Sequence, residues 1–181
     1  MNENALLTSI DNLLFRYYRN MGEEENRLEE KRDDFHMCVH INDTACNNYL
    51  SYSFDKTSKA KDKPTDLFPF FNKVEDAHKM CDYILFCPQD TMLYVLLIEL
   101  KKGNKSTHQQ LRAGRDFANF ILATLRRMNQ LNMLKPQYRF ISLRANKSGK
   151  KTPVRPKQLK YSKRGHIEFS GSTFPLHAFL K

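Results

Sequence analysis

The chain has 181 residues, of which 40% are hydrophobic, 12% aromatic and 28% charged. This length and composition exclude an intrinsically disordered chain and predict a single domain with its own hydrophobic core. The sequence has no run of about eighteen apolar residues and no signal-peptide layout, so we expect a soluble, cytoplasmic protein with no membrane partner. Its cysteines have no zinc-ligand spacing and are expected to be reduced thiols. They are Cys38, Cys46, Cys81 and Cys87.

The first third of the chain predicts a helix followed by short strands. Apolar residues at helical spacing predict an amphipathic helix over residues 4–21, ended or bent by Gly22. The charge run over residues 23–34 predicts a solvated extension of that helix. Apolar segments at residues 35–41 and 49–54 predict two short strands. A loop rich in Lys, Ser and Asp follows them.

The rest of the chain predicts a hairpin, a long helix and further strands. Two apolar runs within residues 81–100 are separated by turn residues and predict the hairpin. A helix is expected over residues 106–134, with Pro136 marking its end, and a strand over residues 138–144. Residues 146–164 form a loop rich in Lys, Arg and Pro, and short strands are expected at 165–170 and 174–180.

These elements divide the single domain of residues 1–181 into three parts. We expect an N-terminal helical region over residues 1–34 and an α/β core over residues 35–145. The basic loop and the C-terminal strands occupy residues 146–181.

The net charge of +10 is distributed unevenly along the chain. Residues 1–99 contain 11 Lys and Arg against 18 Asp and Glu, a net charge of −7. Residues 100–181 contain 19 Lys and Arg against only Asp116 and Glu168, a net charge of +17. A basic half of this kind is the electrostatic signature of a protein that binds a nucleic-acid backbone. The alternative is a merely solvated surface, and phosphate contacts would carry no sequence specificity.

Ionisable residues stand at the open end of the predicted hairpin. The apolar run of residues 92–98 is typical of a strand buried on both faces, and Glu99-Leu100-Lys101 follows it directly. Side chains alternate along a strand, so Glu99 and Lys101 share one face. Folding the hairpin about its turn puts Asp82 opposite a residue near position 97, within about two positions of Glu99. Two carboxylates and an ammonium group should therefore converge, and their burial is costly without a partner or a metal.

An Asp followed across a hairpin by Glu-x-Lys resembles the motif of the PD-(D/E)xK, or restriction-endonuclease-like, nuclease superfamily. The matching residues are Asp82, Glu99 and Lys101, with Gln110 as a weaker fourth match. Cys81 stands where the name of the family has proline. The resemblance covers roughly residues 75–145 and implies an α/β fold with an αβββαβ core, in which helices flank a central mixed sheet. The element order predicted above is the same.

The resemblance implies a phosphodiester hydrolase, an endonuclease that depends on Mg²⁺ or Mn²⁺, with a role in restriction or in defence against mobile DNA. Asp82 and Glu99 would supply hard oxygen ligands for the metal, and the resemblance adds the backbone carbonyl of Leu100. Lys101 would orient the attacking water or stabilise negative charge in the transition state. Gln110 would reach the same edge from the following helix. An acidic residue of the N-terminal region is also implied to support the metal, and the candidates are Glu23, Glu24, Glu25, Glu29 and Glu30.

The expected partner is a nucleic acid, with DNA favoured over RNA, and a second copy of the chain or a partner subunit is left open. Phosphate contacts are expected from basic side chains after the motif and in the basic loop. These are Lys102, Lys105, Arg112, Lys150, Lys151, Arg155, Lys157 and Lys160.

Four alternatives stay open. In the first, Glu99 or Asp82 forms a buried ion pair with Lys101, and the three residues have no catalytic role. In the second, the protein is an endoribonuclease of the same fold. A nucleic-acid-binding or regulatory protein with idle carboxylates is the third alternative, and a requirement for a divalent metal separates it from a nuclease. The fourth is that the basic loop is a nuclear import signal.

Overall fold

The computed structural model describes residues 3–42, 48–54, 68, 71, 74, 76–103, 105–128, 135–145, 159, 161–163 and 165–181. Its two α-helices are α1 (Glu3–Leu13) and α2 (His108–Arg127). Its strands are β1 (Arg27–Arg32), β2 (Phe35–Asn42), β3 (Leu50–Tyr52), β4 (Tyr83–Gln89), β5 (Met92–Lys101), β6 (Lys135–Arg144), β7 (His166–Phe169) and β8 (Thr173–Pro175). Short 3₁₀ turns occupy Arg16–Tyr18, Gly22–Glu24 and Leu176–Phe179.

The strands form two mixed sheets. The larger sheet has the order β3-β4-β5-β6-β7, in which β3, β4 and β5 are antiparallel and β5, β6 and β7 are parallel. The smaller sheet has the order β1-β2-β8, with an antiparallel pair and a parallel pair. The fold is therefore mixed α/β, which confirms the predicted class at this level.

The larger sheet is covered on both faces. On one face, Leu97 and Phe86 pack in a cluster with residues of α1 and α2, including Ile10 and Leu111. On the other face, Leu96 and Ile98 belong to a second cluster with residues of the smaller sheet such as Leu28. The central strand β5 is thus buried on both sides, as its near-continuous apolar run predicts. No helix in the described part of the chain is long and apolar enough to cross a membrane.

The prediction of a helical extension over residues 23–34 is wrong. The segment Arg27–Arg32 is strand β1, which forms an antiparallel hairpin with β2. Within it Leu28 is fully buried, while the charged residues after it lie at or near the surface. A strand is recognised in a sequence by the alternation of apolar and polar residues. This segment has one buried apolar residue, Leu28, among many charged ones, so the alternation is absent and the sequence shows only a charge run. The first helix is also shorter than predicted and ends at Leu13.

Several other elements also differ from the sequence prediction in their bounds or in their place in the fold. The predicted strand at residues 35–41 is β2, but it belongs to the smaller sheet, and β3 lies beside the hairpin instead. Helix α2 ends at Arg127. Pro136 lies inside β6, in a part of that strand that has no β7 neighbour, where a missing amide costs little. At the C-terminus β8 is followed by a 3₁₀ turn rather than a strand over 174–180. The predicted loop at 55–66, positions 129–134 and most of 146–164 lie outside the described residues.

Candidate active site

Asp82 and Glu99 lie side by side at one end of the larger sheet. Tyr83 pairs with Ile98 in the β4–β5 ladder, so the next position in this antiparallel register places Asp82 beside Glu99. The Asp82 amide donates a hydrogen bond to Glu99 Oε2 at 3.2 Å. The Leu100 amide donates to Asp82 Oδ2 at 2.6 Å. The predicted convergence of the two carboxylates is therefore confirmed, and the backbone of the two strands holds it.

Lys101 shares the face of Glu99 and contacts its carboxylate. Lys101 Nζ lies 2.7 Å from Glu99 Oε1. The Glu99 side chain is only 2% exposed, whereas the Lys101 side chain is 16% exposed. The Lys101 side chain is thus closer to solvent than the carboxylate that it contacts. This contact is also the ion pair of the non-catalytic alternative, so the contact by itself does not decide between the two interpretations.

The backbone of Leu100 presents its polar groups to Asp82. In an extended strand, the N–H and C=O groups of one residue point toward the same neighbouring strand. Because the Leu100 amide reaches Asp82, the Leu100 carbonyl faces the same side of β5. The next carbonyl, that of Lys101, points the opposite way and accepts a hydrogen bond from Ala145. Asp82, Glu99 and the Leu100 carbonyl therefore belong to the same end of the β4–β5 hairpin.

Burial perturbs both carboxyl groups in the same direction. Burial raises the pKa of the Asp82 carboxyl well above its ordinary value, and the charge of Glu99 raises it further. Burial also raises the pKa of Glu99, against the opposing effect of its hydrogen bond and charge contact with Lys101. One lysine therefore offsets only part of the cost of burying these two negative charges.

The strand β1 brings a third carboxylate to this end of the sheet. The Tyr83 hydroxyl accepts a hydrogen bond from the Glu29 amide and donates one to the Glu29 carbonyl, both at 2.8 Å. This fixes β1 against the start of β4, next to Asp82. The charge of Glu30, whose side chain is 11% exposed, contributes to the raised pKa of both Asp82 and Glu99.

The structure thus distinguishes among the N-terminal acidic candidates. Glu29 points away from the site and pairs with Arg27 and His36. Glu25 pairs with Arg19. Glu23 and Glu24 lie in the 3₁₀ turn before β1. Glu30 is the candidate whose charge contributes to the raised pKa of both Asp82 and Glu99.

A buried polar network lies on the other side of Glu99. Glu99 pairs with Ser142 in the β5–β6 register. The Ser142 hydroxyl is 2.5 Å from the hydroxyl of Thr107, the residue that precedes α2, and 2.8 Å from Nε2 of His166. Burial lowers the pKa of His166. These contacts fix the start of α2 next to the motif. Sequence reasoning missed them because an isolated Ser, Thr or His carries no pattern.

Arg144 organises the loop between β5 and α2. Its guanidinium donates hydrogen bonds to the carbonyl groups of Gly103 and Lys105 at 2.7 and 2.9 Å. It also lies 2.7 Å from Glu168. Gly103 has a φ of 72°, a conformation that favours glycine. The chain can therefore leave the motif strand and enter α2 within a few residues.

The remaining predicted site residues make no described contact with Asp82, Glu99 or Lys101. Gln110 is half-buried in the first turn of α2, but none of the described hydrogen bonds of Asp82, Glu99 or Lys101 involves it. Lys102 binds Asp34 in the β1–β2 turn at 3.1 Å. Lys105 and Arg112 are exposed. The expected contacts of the basic loop lie outside the described residues, and they are Lys150, Lys151, Arg155, Lys157 and Lys160.

The donor set suits a hard divalent cation. Mg²⁺ takes one or two protein carboxylates and keeps several waters, and carboxylate and carbonyl oxygens are the ligands it prefers. Asp82, Glu99 and the Leu100 carbonyl match that requirement. Among the described residues, no group of three or more His, Cys, Asp and Glu side chains is arranged to hold a metal. A metal at this edge would therefore depend on the two carboxylates, the backbone oxygen and water.

Comparisons of the chain with protein-family models, with curated proteins and with solved structures returned no match.

Proposed function

We propose that this protein is a divalent-metal-dependent nuclease that hydrolyses phosphodiester bonds. The observation that carries the proposal is the convergence of Asp82, Glu99 and Lys101 at one end of the larger sheet. The larger sheet supports it, because α1, the antiparallel strands β3, β4 and β5, helix α2 and the parallel strand β6 match the αβββαβ core once β1 and β2, which follow α1 and form the smaller sheet, are set apart. Asp82 directly precedes β4, and Glu99 and Lys101 lie at the end of β5.

The chemistry assigns a distinct task to each group. Asp82, Glu99 and the Leu100 carbonyl would hold Mg²⁺ or Mn²⁺. When bound, such a metal lowers the pKa of a water ligand and polarises a phosphoryl oxygen. Lys101 lies outside the carboxylates and would orient the attacking water or stabilise the charge that develops on the phosphate. The raised pKa of both carboxyls indicates a site that gains when a cation binds, since binding relieves the burial of negative charge.

The electrostatics of the pair count against a purely structural ion pair. In a stabilising ion pair, the attraction of the cation lowers the pKa of the carboxyl by more than burial raises it. Here burial outweighs the effect of Lys101 at both Asp82 and Glu99. Buried ion pairs are in any case weak contributors to stability. Three ionisable groups gathered at the end of a core strand therefore fit a binding role better than a stabilising one.

The proposed substrate is DNA, since the +17 charge of residues 100–181 suits a dense phosphate backbone. Charge alone does not separate DNA from RNA, so the experiment must include both. A role in restriction or in defence against mobile DNA is proposed from the family resemblance only.

The test is incubation of the purified protein with labelled single- and double-stranded DNA and RNA, in Mn²⁺ or in EDTA. A nuclease cuts at least one substrate in Mn²⁺ and none in EDTA. The Lys101→Ala variant, purified in the same way, controls for contaminating nucleases. Nucleic-acid binding without cleavage, equal in Mn²⁺ and EDTA, would identify a binding module with idle carboxylates instead.

A further inference from the structure

The second half of β1 lies along the edge that carries the candidate active site. Tyr83 holds the backbone of Glu29 through two hydrogen bonds of 2.8 Å. Lys102 holds Asp34 by contacts of 3.0 Å to its carbonyl and 3.1 Å to its carboxylate. Tyr83 directly follows Asp82 in the chain, and Lys102 lies three positions after Glu99. The segment between these two attachments, residues 30–33, is therefore held at the end of the larger sheet that carries the two carboxylates.

Alternation along β1 determines which of its side chains face the site. Leu28 is fully buried in the cluster between the two sheets, so the face that carries Leu28 is the inner face. Glu30 and Arg32 follow on this face, and their side chains are 11% and 57% exposed. On this face of β1, the side chains thus change from buried at Leu28 to exposed at Arg32. The opposite face carries Arg27 and Glu29, which pair with each other at 2.8 Å.

Arg32 is therefore an exposed cation on the same face of β1 as Glu30, two positions further along the strand. Its guanidinium forms an ion pair with Glu30, the third carboxylate at this edge. Lys101 pairs with Glu99 and Arg32 pairs with Glu30, and the charge of Glu30 acts on both Asp82 and Glu99. Lys101 is largely buried and is held by Glu99, whereas Arg32 reaches solvent. A guanidinium presents a planar fork of donors that matches two phosphate oxygens at once.

We infer that Arg32 binds a backbone phosphate of the substrate at the mouth of the site and so positions the strand over Asp82 and Glu99. This inference rests on the proposed nuclease function and extends it to a residue outside the motif. The carboxylate of Glu30 pre-orients the guanidinium, because it holds the side chain against the edge before substrate arrives. A divalent cation at Asp82 and Glu99 would also reduce the local negative charge, so that a phosphate can approach Arg32.

The experiment measures binding in a Lys101→Ala background with Mn²⁺, where the proposed mechanism allows binding without cleavage. Adding Arg32→Ala is expected to weaken the affinity for a labelled duplex by about 10- to 100-fold, the range for a hydrogen bond to a charged group. It should also reduce the slope of log affinity against log salt by about 0.9, the value for one lost phosphate contact. Arg27→Ala is the matched control, since it removes an ion-paired arginine from the opposite face of the same strand. It should change neither quantity.

A conservative variant guards against misfolding. If Arg32→Ala lowers the melting temperature so far that binding is not measurable, Arg32→Lys in the otherwise unchanged chain decides. A lysine keeps the charge and loses the planar fork, so KM should rise several-fold while kcat changes little. A salt slope that Arg32→Ala leaves unchanged, an equal effect of Arg27→Ala, or an unchanged KM in Arg32→Lys overturns the inference alone. If the unsubstituted chain neither binds nor cuts nucleic acid, the proposed function fails first and the inference fails with it.

Discussion

The Leu100 amide donates a hydrogen bond of 2.6 Å to the carboxylate of Asp82, a residue on the opposite strand of the hairpin. The Asp82 amide in turn donates to the Glu99 carboxylate. Each carboxylate is therefore held by the backbone of the strand that carries the other one. Glu99 and Leu100 lie in the buried central strand β5, and Asp82 directly precedes the buried strand β4. This arrangement makes the two interpretations of the site, metal centre and ion pair, separable by conservative substitutions.

Lys101→Ala should abolish cleavage and leave metal binding intact. In the proposed mechanism Lys101 acts on the nucleophile or on the developing charge, and loss of one such group typically lowers kcat by about 10²- to 10³-fold. Removing the ammonium group also removes a positive charge next to the metal, so Mn²⁺ affinity should be kept or increased. Steady-state kinetics and calorimetric Mn²⁺ titration measure the two quantities. A variant that cuts at the unsubstituted rate contradicts the mechanism.

Lys135→Ala is the matched control for this variant. Lys135 begins β6 and pairs with Met92, whereas Lys101 pairs with Arg144 at the far end of the same parallel ladder. The two substitutions therefore remove the same side chain from opposite ends of one pair of strands. Activity and metal affinity should change only at the Lys101 end.

Asp82→Asn and Glu99→Gln should each lose both divalent-metal affinity and activity. Each change removes a negative oxygen ligand and nearly preserves the volume of the side chain. The non-catalytic ion pair predicts a different result, since neutralising either residue would then leave Mn²⁺ affinity where it was. Calorimetry in the absence of nucleic acid distinguishes the two outcomes. Asp116→Asn, at an exposed acid paired with Arg115 on α2, is the control for the loss of one negative charge.

The hairpin could be predicted from the sequence because its signals are local. Two apolar runs and one turn determine an antiparallel register, and residue spacing alone then places Asp82 within two positions of Glu99. Helix α2 was predictable for the same reason, since its buried side chains repeat at helical spacing. Both elements bury enough apolar surface to make their periodicity visible.

Strand β1 and the polar network could not be predicted because their structure depends on distant partners. Residues 27–32 contain one apolar side chain, and their position is fixed by Tyr83, 54 positions from Glu29. Tertiary contacts thus override a sequence that otherwise suggests a solvated helix. The effect of the Glu30 charge on Asp82 and Glu99 follows from that strand. Likewise, Thr107, Ser142 and His166 are brought together only by the parallel pairing of β5, β6 and β7.

The stability of the metal-free protein should fall as the pH rises above about 4, the pKa of these carboxyls in the unfolded chain. In the unfolded chain Asp82 and Glu99 titrate near pH 4, whereas in the folded chain the pKa of both carboxyls is raised. Between these pKa values the folded state binds more protons than the unfolded state, so the free energy of unfolding decreases with pH. Mn²⁺ should reverse the decrease, by about 2.7 kcal/mol at one hundred times its dissociation constant.

Urea unfolding at several pH values, in EDTA and in Mn²⁺, measures this effect. Other groups titrate in the same pH range, so the informative quantity is the difference between the unsubstituted chain and Asp82→Asn. The variant should show a flatter dependence on pH and a smaller stabilisation by Mn²⁺. Parallel curves for the two proteins, in both buffers, would show that the buried carboxyl pair does not contribute.

Gly114→Ala should destabilise the protein and disturb the site, although glycine is normally a poor residue inside a helix. A Cβ atom at position 114 would overlap the sulfur of Cys81 and approach Leu97. Overpacking of this kind costs about 1–3 kcal/mol, whereas the usual exchange of Gly for Ala in a helix gains up to about 1 kcal/mol. The sign of the change therefore tests the close approach of α2 to β4. Because Cys81 precedes Asp82, Mn²⁺ affinity should fall as well.

The double variant Cys81→Ala, Gly114→Ala checks this explanation. Removing the sulfur provides room for the new methyl group, so the double variant should be more stable than Gly114→Ala alone. Additive losses in the two single variants would mean that the two positions do not contact each other. Denaturant midpoints and Mn²⁺ titrations of all four proteins complete the cycle.

The basic loop is predicted to bind the phosphate backbone. Replacing Lys150, Lys151, Lys157 and Lys160 together by Gln removes up to four phosphate contacts. The slope of log affinity against log salt should then flatten by up to about 3 to 4 for duplex DNA. The affinity should fall equally for DNA of every base sequence, because contacts to the phosphate backbone do not distinguish one base from another. Circular dichroism should show an unchanged fold, and fluorescence anisotropy across a salt series gives the slope.

The comparison variant lies on helix α2, where the corresponding change replaces four arginines by Gln: Arg112, Arg115, Arg126 and Arg127. If the loop variant keeps the original slope and the helix variant flattens it, the phosphate clamp lies on α2. The loop would then be a targeting or solubilising segment. Neutralising either set removes four positive charges, so a general effect of net charge would weaken binding equally in both variants. A difference between the two slopes therefore reports where the backbone lies, because the same charge is removed in each case.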